Sequence, residues 1–248
     1  MIDIEWRDYH GVYNYKGFTI DIEPNISADN EEFQSLAIWA LNHKRYSFPN
    51  TAGVPFDDLC SWSEVEEWLF KKYKDIVWID DVMLLDHGML WIRYNGGFPE
   101  DPGGWDSGQI GFVFTTKERI REFFGVKRVT DKVRKKAKEV YLEDLRIFKA
   151  YVEGDIYLIR NPIYDTWLLA YGSEDVEKII KNEIEPEIDE FIDDMRKKSL
   201  HKIAEYIRNK VPEIYRKSFD QIFIKNIERN IAVKFAFDEK DLLSSLKV

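Results

Sequence analysis

Residues 76–94 read IVWIDDVMLLDHGMLWIRY, and the parsing of that stretch decides the fold class. Three apolar runs, Ile76 to Ile79, Val82 to Leu85 and Met89 to Tyr94, are short and hold aromatic and β-branched residues, so they predict strands. Asp86-His87-Gly88 separates the last two. An Asp that bonds the backbone and a Gly that accepts positive φ make an ordinary hairpin turn. Short strands joined by turns rather than long crossovers pair antiparallel. The expectation is an α+β protein: an antiparallel sheet with flanking helices and a helical C-terminal extension.

Upstream of this stretch, Phe18, Ile20 and Ile22 alternate with Thr19 and Asp21, which predicts a half-buried strand over 15–22 ended by Pro24-Asn25. Residues 36–48 turn from apolar to basic and fit a strand or a helix. Ser63-Glu64-Val65-Glu66 is a capping box, opening a helix to about Lys74 with Val65, Trp68 and Leu69 inward. Downstream, a loop over 95–109 is dense in Gly and Pro, and Ile110 to Phe114 is the next strand. Thr115-Thr116-Lys117-Glu118 is a second capping box for a short helix that stops at Gly125. Thr130 caps a longer helix reaching Gly154, with Val133, Ala137, Val140, Tyr141, Leu145, Phe148 and Val152 at three- and four-residue steps. Residues 155–160 and 166–171 form a hairpin around Asn161-Pro162.

Composition changes near Ser173, so the chain divides into an α+β core domain over 1–172 and a mainly helical extension over 173–248. In the extension Val176, Ile180, Ile184, Ile188, Phe191 and Met195 form one inward stripe, which Pro186 must kink or restart. Leu200, Ile203, Ile207 and Val211 continue as helix to Pro212. Ile231, Val233, Phe235 and Phe237 alternate as a terminal strand, and 213–229 is ambiguous.

The formal net charge is -10, which repels phosphate over most of the surface and suits a basic protein partner, the imitation of a nucleic acid, or simple solubility. Nucleic acid is therefore not the expected direct ligand. Charge is also segregated. Residues 127–138 carry seven basic side chains against Asp131, and 174–194 carry ten acidic ones against Lys178 and Lys181. These are two binding faces of opposite sign or merely solvated helix faces. Glu187, Glu190 and Asp194 lie three and four residues apart on one face, offset from the apolar stripe, and are the candidate partner-binding residues.

One cysteine, Cys60, allows no internal disulfide and fits a reducing compartment, where it reads as a small buried residue. The acidic start does not read as a signal peptide, and no apolar run approaches the ~20 residues of a membrane span. Abundant Lys, Glu and Ile, with Gln only at 34, 109 and 221, lean towards a hot-environment source.

No P-loop, dinucleotide-binding glycine pattern, GxSxG or HExxH is present, so no catalytic residue is assigned. Asp80, Asp81, Asp86 and His87 are the one compact set of oxygen and imidazole donors. Asp86 and His87 are its candidate metal ligands, for a metal-dependent hydrolase of nucleotides or nucleic acid, against the plain turn described above. In Trp105-Asp106-Ser107-Gly108-Gln109 a serine stands beside an aspartate without a placed histidine. The architectural reading has Trp105 anchoring the loop on the core, Asp106 and Ser107 satisfying backbone amides, and Gly108 allowing a tight turn. No cofactor is expected. A nucleic-acid-binding viral regulator using Lys127 to Lys138 is the third alternative.

Tyr15-Lys16-Gly17-Phe18, His43-Lys44-Arg45-Tyr46, Asp86-His87-Gly88, Trp105-Asp106-Ser107-Gly108-Gln109-Ile110-Gly111-Phe112 and Glu122-Phe123-Phe124-Gly125-Val126 occur in that order. The string resembles a family of small proteins coded by phages and other mobile elements. The likeness covers about residues 15–172, with Trp-Asp-Ser-Gly-Gln its most specific piece, and it carries over no active-site residues. With the acidic helical extension and the composition, the chain is similar to the type III-B anti-CRISPR proteins of rod-shaped viruses of hot-living archaea. That resemblance implies a non-enzymatic, virus-encoded protein of the host cytoplasm. It would inhibit a type III CRISPR-Cas effector by binding the ribonucleoprotein or its accessory ribonuclease.

Overall fold

The computed structural model describes residues 2–7, 10–25, 35–210 and 212–219. The sequence splits 76–86 at Asp80-Asp81, yet the chain runs through as one strand, β5 (Ile76–Asp86). Two acids persist inside it for different reasons: the Asp80 carboxylate is bonded, and the Asp81 side chain is exposed while its backbone is paired. Asp80 accepts the Tyr141 hydroxyl at 2.7 Å, and the Asp81 amide donates to Asn95 Oδ1 at 3.1 Å. Register shifts at Ile76/Trp78 and Val82/Met83 absorb the irregular patterning as bulges.

β5 pairs antiparallel with β6 (Leu90–Tyr94) and with β7 (Ser107–Thr116), and β7 pairs with β4 (Ile38–Leu41). The result is a four-stranded sheet in the order β4-β7-β5-β6. A second sheet joins β1 (Glu5–Arg7), β2 (His10–Tyr15), β3 (Phe18–Pro24), β8 (Ile156–Asn161) and β9 (Thr166–Tyr171) in that order, again antiparallel. The α+β class with antiparallel sheets holds. The strand expected over 15–22 is instead the turn and second arm of a hairpin, with Lys16 and Gly17 at positive φ between β2 and β3.

Helices cover both faces of the four-stranded sheet. On one face α1 (Trp62–Lys72) buries Val65 and Leu69 against Ala40, Phe112 and Phe114. On the other, α3 (Asp131–Glu153) buries Ala137, Tyr141, Leu145 and Phe148 against Trp39, Leu41, Val82, Leu84 and Val113. Strand alternation explains the division, since neighbouring residues of β7 enter opposite clusters. The short α2 (Lys117–Phe124) lies between β7 and α3 and ends at Gly125 in the left-handed region.

Capping chemistry sets these boundaries, with two corrections. The α1 cap is Ser61 rather than Ser63: its hydroxyl accepts the Glu64 amide, and the Glu64 carboxylate reaches back to the Cys60 amide at 2.7 Å. The α2 cap is Thr116 rather than Thr115, because the Thr115 hydroxyl is taken by Leu36 O at 2.9 Å. Thr130 caps α3 as expected.

The chain divides into two compact units, Met1–Ile180 and Lys181–Val248. α4 (Ser173–Ile179) packs against β8 and β9 in the first. Arg146 of α3 ties it there, meeting Asp175 at 2.6 Å and also the Tyr171 carbonyl and Glu143. A π-helical turn, Ile180–Ile184, follows. The second unit contains α5 (Glu185–Lys210), with Pro186 in its first turn where no amide is required, and α6 (Glu213–Phe219). The strand expected over 231–237 lies outside the described residues.

Candidate functional site

Three of the motif segments meet at one end of the four-stranded sheet. Asp86 closes β5, and its carboxylate takes the Tyr46 hydroxyl at 3.0 Å and the Arg45 guanidinium at 3.1 Å. The Asp86 amide donates to Asp106 O at 2.9 Å, and His87 Nδ1 lies 2.8 Å from Asp106 Oδ2. His43 stacks on Tyr46 at 5.1 Å with rings 15° apart. Partial burial, and then the Arg45 charge, hold the His43 imidazole below its usual pKa; the Asp86 hydrogen bond pushes the Tyr46 phenol up.

The candidate metal ligands of this clasp already have protein partners. Asp86 is spent on Arg45 and Tyr46, and His87 faces Asp106. Asp80 and Asp81 are not brought to them. Six residues of extended strand separate Asp80 from Asp86, about 20 Å at roughly 3.3 Å per residue. Asp80 serves Tyr141 and Asn95 instead. Among the described residues no three His, Cys, Asp or Glu side chains are grouped to hold a metal ion. The compact set of donors in the sequence is therefore strung along a strand.

The Trp105 loop is anchored differently from the sequence expectation. Trp105 is 90% exposed and does not enter the core. The anchor is Asp101, which the sequence reading missed. Its carboxylate accepts the amides of Trp105 at 3.1 Å, Asp106 at 2.9 Å and Ser107 at 2.9 Å. Desolvation pushes this carboxyl up, but the Ser107 hydroxyl and the three amides outweigh it and hold Asp101 below the usual carboxylate range. Asp106 and Ser107 thus donate amides rather than satisfy them. The Ser107 hydroxyl is among the groups that hold the Asp101 carboxyl low, and His87 Nδ1 meets Asp106. Gly108 does not take positive φ; Gly104 and Gly111 do. Gln109 donates to Gly111 O at 3.3 Å. An Asp followed by Pro-Gly-Gly was the available signal for Asp101, since such a carboxylate caps the amides of the turn after it.

A cleft of about 470 Å³ opens beside α3, walled by Trp39, Tyr73, Phe148 and Tyr151, with Arg119 and Asp144 as its charged groups. Both are engaged in pinning one strap of chain. Asp144 accepts the Leu36 and Ala37 amides at 2.7 and 2.9 Å, and Arg119 donates to Ser35 O at 2.6 Å. Burial pushes the Asp144 carboxyl up against the pull of those amides and of Arg119.

On α5, Glu190 and Asp194 are exposed and Glu187 is half-buried. Asp194 pairs with Lys198 one turn on, at 2.6 Å. Ile184 and Ile188 are buried, but the stripe does not continue inward: Phe191 is 40% and Met195 48% exposed. Nothing in the spacing reveals this, because a stripe says which way side chains point and not where their cover ends. Glu187, Phe191, Asp194 and Lys198 recur at four-, three- and four-residue steps, so acid and apolar residues share a border.

Cys60, expected buried, is exposed. Among the described residues no helix is long and apolar enough to cross a membrane. No protein-family model, curated protein or solved structure matches the chain.

Proposed function

We propose that this protein is a non-enzymatic, virus-encoded inhibitor in the host cytoplasm that binds a type III CRISPR-Cas effector ribonucleoprotein, or its accessory ribonuclease, through the acidic half of α5. The observation that carries the binding reading is the exposure of Phe191 and Met195 beside Glu187, Glu190 and Asp194. Exposed apolar side chains next to acids suit an interface: the apolar pair fills a pocket and the acids steer a basic surface. A surface that normally holds RNA is rich in Lys and Arg and has that complementary charge. The partner is proposed on the family resemblance, and the exposed residues of α5 support the mode of binding.

The test is surface plasmon resonance against purified effector complex at low and high salt. Reversing Glu187, Glu190 and Asp194 to Lys slows association, since rim charges set on-rate and are screened beyond roughly 8 Å at physiological ionic strength. Phe191→Ala with Met195→Ala speeds dissociation, because buried anchors set off-rate. Wild-type kinetics in both variants, with binding intact, would remove α5 from the interface. Absence of any binding to the effector or its ribonuclease would remove the proposed function.

A further inference from the structure

The cations from Lys127 to Lys138 differ in their pairing from several arginines elsewhere in the chain. Arg45, Arg93, Arg146 and Arg160 each reach a carboxylate. Lys127, Arg128, Lys132, Arg134, Lys135, Lys136 and Lys138 pair with no carboxylate among the described residues. All but Lys138 are exposed. Lys132, Lys135 and Lys136 stand at three- and four-residue steps on the outer face of α3, opposite the side that buries Ala137 and Tyr141. Arg134 and Lys138 lie on the flank, over the Trp78 ring at 5.9 and 4.9 Å. Phe123, four residues before Lys127, is 38% exposed and held edge-on by Phe124 at 5.1 Å.

We infer that this face binds single-stranded nucleic acid, with the cations on the phosphodiester backbone and Phe123 as a stacking surface for a base. Unpaired cations interleaved with aromatic rings are the chemistry of single-strand recognition, since every base has a π-face and every linkage a charge. A duplex would leave the aromatic rings without a role, and an acidic peptide offers nothing to stack. The net charge of -10 does not forbid it. At physiological ionic strength acids more than roughly 8 Å away are screened, so a phosphate on α3 is governed by the local cluster, in which seven cations outnumber Asp131 and Glu139. This face is separate from the α5 reading and goes beyond it.

The experiment is fluorescence anisotropy of a labelled, mixed-sequence single-stranded RNA titrated with the full chain at several salt concentrations. If roughly five phosphates are neutralised, log K falls with log salt at a slope of about -3.5, a loss of about a hundredfold from 50 to 200 mM. The triple variant Lys132→Glu, Lys135→Glu, Lys136→Glu loses more than tenfold in affinity at low salt. Its fold is retained, since all three lysines are exposed and an acid at 132, in the first turn of α3, favours the helix dipole, and its melting curve verifies that. Phe123→Ala loses about fivefold, the low end of base-stacking effects. Phe191→Ala with Met195→Ala leaves RNA affinity unchanged, which separates this face from α5. Three results overturn the inference: no RNA binding at low salt, wild-type affinity in a folded triple variant, or displacement of RNA by polyglutamate at equal charge with Phe123→Ala silent. The last would make the face a site for acidic polypeptide.

Discussion

Gly111→Ala places one methyl group at the centre of the four-stranded sheet. Gly111 pairs with Leu41 on one side and Val82 on the other, at a φ of 146°. A Cβ built there would lie 2.0 Å from Ala40 O and 3.0 Å from both Ala40 C and Leu41 Cα. Every one of these atoms is backbone, so no side chain can swing aside and β4 itself must move. The dihedral costs an L-residue about 1–3 kcal/mol. Displacing packed backbone costs about 1–3 kcal/mol more, for a total of roughly 2–6 kcal/mol. At about 2–4 °C per kcal/mol for a chain of this size, melting falls by roughly 5–20 °C. Gly108 is the internal control: its φ is not positive and nothing lies within 4 Å of a Cβ there. Gly108→Ala is neutral or gains about 0.5 kcal/mol. Urea titrations followed by circular dichroism compare the two variants. A Gly111→Ala protein within about 0.5 kcal/mol of wild type, the ordinary surface-substitution range, would refute the close-approach argument.

Trp105→Ala changes stability by no more than about 0.5 kcal/mol, because the indole is exposed; a loss near the 3–5 kcal/mol of a buried Trp would show that the ring is covered. Tyr141→Phe costs about 1.5–3 kcal/mol, since it removes a buried hydroxyl that serves both Asp80 at 2.7 Å and Val113 O at 3.0 Å, and denaturant titration reads it directly. Burial and Asp80 push that phenol far up, so its donor role is constant over the working pH range. Asp101 predicts a pH dependence. Its folded pKa is depressed, so its stabilising contribution is present above the ordinary Asp value of about 3.9 and is lost as pH falls through the folded value. The melting difference between wild type and Asp101→Asn therefore shrinks on going from neutral to acid pH, and a difference that grew towards acid would refute the assignment.

Local chemistry made much of the molecule legible in the sequence. Thr130 and Gly154 bound α3 because a hydroxyl cap and a left-handed glycine act on their own neighbouring amides and carbonyls. The α3 stripe, the β8–β9 hairpin and the antiparallel α+β class followed from periodicity and short connections, which are also local. What the tertiary structure decided was partnership across the chain. Two sheets rather than one, the unbroken β5, and the Thr115 hydroxyl diverted to Leu36 each depend on residues remote in sequence. The site followed the same rule. The sequence presented Asp80, Asp81, Asp86 and His87 as one cluster, whereas extended backbone spaced them out and Arg45, Tyr46, Tyr141 and Asp106 engaged three of them in turn. Residue identity determined that Trp105, Phe191 and Met195 are apolar. Their exposure is a property of what the fold places over them, and hydrophobic burial, being non-directional, leaves no mark of that in the sequence.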